Sequence, residues 1–70
     1  MTPADFKRFR RELGLTQAQL GRLLAIHPQT VYRREAGMRR IRVPEALLLR
    51  ALMELTPTQR AELIAAELDE

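Results

Sequence analysis

Residues 16–37 read Thr-Gln-Ala-Gln-Leu-Gly-Arg-Leu-Leu-Ala-Ile-His-Pro-Gln-Thr-Val-Tyr-Arg-Arg-Glu-Ala-Gly. This stretch predicts two short helices, over about 17–24 and 28–36, with a tight turn between them. Thr16 is placed to cap the first, and Gln19, three residues on, to close a capping box. Leu20, Leu24, Ile26 and Val31 supply apolar positions for packing one helix across the other. Pro28 suits a first helical turn, and Gly37 suits a left-handed position just past a helix end. The second helix then exposes Gln29, Thr30, Tyr32 and Arg33. These are hydrogen-bonding side chains on a short capped helix held by its neighbour, which is what reading a DNA major groove requires.

Residues 3–13 predict a further helix. Thr2 is its cap, Pro3 its first residue, and Asp5 puts negative charge in its first turn. Phe6, Phe9 and Leu13 form its apolar stripe. Arg10 lies beside that stripe, so it is partly buried and needs an acidic partner. Gly14 ends this helix, and Leu15 anchors the loop that follows. After Gly37, the run Met38-Arg39-Arg40-Ile41-Arg42-Val43 places three arginines within four residues. They are either solvated loop charges or clamps on a sugar–phosphate backbone. A fourth helix is expected over 44–54 and is apolar on nearly every side, which implies burial or a covered second face. Thr56-Pro57-Thr58-Gln59 opens a fifth helix over 57–68 with another capping box. Ala61, Ile64, Ala65 and Leu68 form its stripe, with Leu63 to one side. The acidic pair Asp69-Glu70 is expected to fray. The expected fold class is therefore all-α, a compact five-helix bundle with a helix-turn-helix, forming a single domain over 1–70.

Charge is unevenly placed. The net charge is +3, but residues 1–42 carry ten Lys or Arg against three acids, and residues 43–70 carry two Arg against six acids. The first part suits phosphates, and the second suits water or protein. With no cysteine and a single histidine, disulfides and thiolate metal sites are excluded, and no cofactor is called for. No apolar run approaches the roughly 20 residues of a membrane span. The first residues are polar from the start, unlike a signal peptide, so a cytoplasmic location is the expectation. There are no paired carboxylates, nucleophile–base set or phosphate-cradling glycine loop. An enzyme with a small-molecule substrate is the least expected class.

The chain resembles the Cro/cI-type helix-turn-helix family, also called the xenobiotic-response-element type. The resemblance runs from about Phe6 to Leu55. It rests on Phe6, Arg10, the run Leu13-Gly14-Leu15-Thr16-Gln17-Ala18 with Leu20, then Leu24, Ile26, Pro28, Thr30-Val31, Glu35 and Gly37. It implies a five-helix bundle that binds double-stranded DNA. It implies that Gln17 contacts a phosphate, that Arg10 pairs with Glu35 as a structural ion pair, and that Gln29, Tyr32 and Arg33 meet base edges. His27 is then either a helix cap or a phosphate contact. Thr30, Arg34, Arg39, Arg40 and Arg42 complete the candidate phosphate contacts.

Three departures stand out. The family usually has Ala at position 21 and Gly at 25, whereas this chain has Gly21 and Ala25. Because Ala25 has poor access to positive φ, a tighter or more helical turn is expected. Arg34 stands where many members carry an apolar residue or Trp, so it must snorkel out, join a polar pair or reach a phosphate. Pro28 stands where some members read a base with glutamine. The leading expectation is a dimeric repressor reading an inverted repeat, with Leu63, Ile64, Leu68 and the apolar fourth helix as the homodimer surface. Two alternatives use the same fold. One is an antitoxin whose C-terminal helices hold a protein partner, and the other is an RNA-binding or co-activator module.

Overall fold

The computed structural model describes residues 1–69; Glu70, half of the expected frayed pair, lies outside them. Five helices follow in order: α1 Pro3–Glu12, α2 Gln17–Leu24, α3 Pro28–Glu35, α4 Val43–Glu54 and α5 Pro57–Leu68. No strand occurs among the described residues. Helix starts follow the capping chemistry. Thr2, Thr16 and Thr56 each accept the backbone N–H three residues on, while Asp5, Gln19 and Gln59 reach back to the cap's own N–H.

The first three helices end in the same way. Leu15 N–H bonds the Arg10 carbonyl at 3.1 Å, Ile26 N–H that of Gly21 at 2.9 Å, and Met38 N–H that of Arg33 at 2.8 Å. Each bond closes a Schellman-type turn around one residue of positive φ. Gly14 (71°) and Gly37 (75°) fill that slot without strain, but the middle turn places Ala25 there, at 57°. The expected tighter, more helical turn is therefore replaced by a left-handed one. The turn's own hydrogen bonds hold Ala25 in it. Gly21 belongs to the same arrangement. A Cβ on residue 21 would lie 2.6 Å from the Ile26 carbonyl oxygen, so the helix approaches the turn more closely than a side chain permits.

Phe6, Leu20, Val31 and Leu49 are fully buried and, with Leu15 and Ile64, form the core. α2 packs mainly on α3, α1 on α3 and α4, and α5 on α2. The α1 stripe residues Phe9 and Leu13, and also Leu24, Ile26 and Leu68, sit half-buried against this core. Ile64 is only 8% exposed, so it belongs to the core and not to an interface as expected. α5 is rolled to bring Ile64 and Leu68 inward, which leaves Ala61 and Ala65 exposed. α4 buries Leu49 and Leu52 but leaves Leu47 (60%) and Leu48 (38%) in solvent, and Leu48 shares a groove with Leu63 (47%). No helix among the described residues is long and apolar enough to cross a membrane.

Candidate nucleic-acid interface

α3 is held from two sides by consecutive residues of opposite charge. Glu35 faces α1 and α2. Arg10 donates to it through Nε at 2.6 Å and Nη2 at 3.1 Å, and Gln17 Nε2 donates to the same carboxylate at 3.3 Å. The remaining arm of Arg10 bonds the Leu15 carbonyl at 2.9 Å. This satisfies a guanidinium that would be costly to bury unpaired. Arg34 faces α4, where Nε and Nη2 meet the two carboxylate oxygens of Glu45 at 2.7 and 3.0 Å.

Arg34 is thus corrected from a phosphate contact to an internal residue, 7% exposed. It keeps the inward position that an apolar residue would take, and Glu45 supplies the charge that makes burial tolerable. Glu45 is a residue sequence reasoning missed. The available signal was an acid at the start of α4 together with an arginine in an apolar slot. Burial alone would raise the Glu45 carboxyl. Its bonds to Arg34 and to the Arg42 N–H, with the charges of both arginines, outweigh that and hold it below its ordinary value of 4.5. A lowered carboxyl stabilises the fold at pH values above the unfolded pKa and loses that contribution as pH falls through the folded one. Stability is therefore expected to decline as pH drops below about 4.5. In Glu45→Gln, acid titration followed by circular dichroism should show a shallower decline over the same range.

With residues 34 and 35 turned inward, α3 presents Gln29, Tyr32, Arg33 and Ala36 outward at helical spacing. Gln29 and Tyr32 are exposed and Arg33 half-exposed. His27 caps α3, its Nδ1 accepting the Gln29 N–H at 3.0 Å. In the neutral ring this puts the proton on Nε2, which leaves a donor free. Thr30 is half-buried on the first turn of α3, and Gln17 is half-buried on the first turn of α2.

The basic loop follows α3 directly in the chain. The Met38 and Arg39 N–H groups both bond the Arg33 carbonyl, at 2.8 and 3.3 Å. Arg39, Arg40 and Arg42 are exposed around a shallow depression bordered by Val43 and Pro44. The outward residues of α3, its histidine cap and the arginine loop are neighbours along residues 27–42. Leu63 and Leu68 lie elsewhere, lining a groove of about 570 Å³ with Leu48 and Leu52. Arg22 closes that region by donating to the Leu68 carbonyl at 2.8 Å, another contact that sequence reasoning missed.

A helix-turn-helix family model matches residues 6–67. No individual curated protein and no solved structure matches the chain. The matched residues span all but the first few of α1 and the last of α5, and they contain the capped helix pair, the Arg10–Glu35 clamp and the outward polar face of α3. The chain accordingly belongs to the Cro/cI-type helix-turn-helix family of DNA-binding regulators.

Proposed function

We propose that this protein is a sequence-specific repressor that binds an inverted repeat as a homodimer, with α3 of each copy in the major groove. The observation that carries this reading is the inward anchoring of Arg34 and Glu35. It leaves one hydrogen-bonding arc on α3, made of Gln29, Tyr32 and Arg33. Gln29 suits adenine and Arg33 suits guanine, each bidentately. Tyr32 suits a thymine methyl or a phosphate. Gln17 retains a second amide hydrogen beyond the one given to Glu35, and His27 retains Nε2–H, so both donors are available to phosphates. Thr30, Arg39, Arg40 and Arg42 complete the backbone contacts in this reading.

Half-site centres in such a dimer lie about one helical turn, roughly 34 Å, apart. The exposed Leu47, Leu48 and Leu63 form the surface through which the copies pair, since an apolar face of this kind is stabilised by being covered. Bound across two half-sites, the dimer denies that stretch of duplex to other proteins. The same groove between α2, α4 and α5 would suit a helix of a different protein, as an antitoxin requires. An equimolar complex with such a partner, and no homodimer at micromolar concentration, would favour that alternative.

Arg33→Ala tests the reading arc. On duplexes varied one base pair at a time, the variant should lose about 1–3 kcal/mol of discrimination at a single position. An equal loss on every duplex would make Arg33 a phosphate contact and contradict the assignment.

A further inference from the structure

The Arg34–Glu45 pair has no counterpart in the function just described. Replacing a buried ion pair with apolar side chains of similar volume is commonly neutral or stabilising, so stability alone does not account for it. Its position does suggest a role. Glu45 Oε1 accepts the Arg42 backbone N–H at 3.0 Å as well as the Arg34 Nε. At the other end of the loop, Met38 and Arg39 N–H bond the last turn of α3. The segment between α3 and α4 is therefore fixed at both ends, with Arg39, Arg40 and Arg42 exposed. An apolar pair could fill the same space, but it could not accept the Arg42 N–H.

We propose that Arg34 and Glu45 are positioning residues: without touching DNA, their pair registers the arginine loop against α3 so that its guanidinium groups meet the backbone phosphates. The inference rests on the reading of that loop as a phosphate clamp. It predicts that removing the pair weakens DNA binding with no change in net charge and no loss of any exposed cation.

The test uses the full chain and a random-sequence 20-base-pair duplex, on which binding is governed by phosphate contacts and salt. The variants are Arg34→Met/Glu45→Leu, which keeps the net charge, and Arg40→Ala. Affinity is measured by fluorescence anisotropy across salt concentrations, and folding by thermal melting. The double variant should melt close to the parent yet bind about tenfold more weakly, with the slope of log affinity against log salt reduced by about one. Arg40→Ala should reduce the slope by about one as well. A parental slope and affinity in the double variant, with a reduced slope in Arg40→Ala, would overturn the positioning role and leave the clamp intact. A parental slope in Arg40→Ala would overturn the clamp reading itself, and the inference with it. If the double variant melts early, binding is compared below its transition together with Arg34→Leu/Glu45→Met, which likewise keeps the net charge and removes the acceptor for the Arg42 N–H; a lower slope in either variant supports the inference, and a parental slope in both overturns it.

Discussion

Replacing Glu35 with alanine is expected to cost about 3–5 kcal/mol of stability, the range for breaking one side of a buried ion pair. The substitution removes both carboxylate oxygens from Arg10, whose side chain is only 12% exposed, and one from Gln17. The Leu15 carbonyl would remain as the one protein acceptor that Arg10 now uses. A core of this size rarely supplies more than about 3–5 kcal/mol in total. The variant should therefore be largely unfolded at 25 °C in the absence of DNA, as read by circular dichroism and urea titration. Arg10→Met/Glu35→Leu should recover most of that loss, because what destabilises is the stranded charge. A Glu35→Ala protein with a urea midpoint equal to the parent's would mean that Arg10 reaches solvent freely, contrary to the geometry.

Gly21→Ala is expected to destabilise by about 1–3 kcal/mol, the scale of overpacking a tight site. In an ordinary helix interior the same change would stabilise by up to about 1 kcal/mol, so the sign is diagnostic. The new methyl would meet the Ile26 carbonyl oxygen at 2.6 Å. That oxygen is backbone, in a turn that Ala25 holds at φ 57° and the Ile26–Gly21 hydrogen bond closes. Ala25→Gly should do the opposite. It relieves about 1–2 kcal/mol of left-handed strain against roughly 0.4–1 kcal/mol of added unfolded-chain entropy. Without the Ala25 methyl the turn can also shift, so the double variant should be more stable than the two single effects predict by addition. Urea midpoints at constant slope measure all three. A Gly21→Ala protein at least as stable as the parent would show that the turn yields without cost.

Local chemistry made most of the fold legible. The three threonine caps with their partners three residues on mark the starts of α1, α2 and α5, and the glycines mark the ends of α1 and α3. What the sequence concealed depends on packing between distant residues. Arg34 reads as a cation in an apolar slot with three ways out, and only α4, placing Glu45 eleven residues away against it, decides for the polar pair over a phosphate. Ile64 reads as interface material because α4 and α5 offer more apolar side chains than a small core takes in. Only the roll of α5 onto α2 decides that Ile64 goes inside and Leu63 stays out. Ala25 reads as a residue that avoids positive φ, and the hydrogen-bonded turn overrides that preference. The outward arc of Gln29, Tyr32 and Arg33 was legible because helical spacing alone places it, once Val31 and Glu35 turn inward.

Selection of bound duplexes from a random DNA pool, carried out in parallel with the parent and with Arg33→Ala, tests whether two copies of α3 read base sequence in the major groove. The expected result is enrichment of an inverted repeat with half-site centres about one helical turn apart, and relaxed preference at one base pair per half-site with Arg33→Ala. Absence of any enriched sequence, or an enriched site that Arg33→Ala leaves unchanged at every base pair, would contradict it.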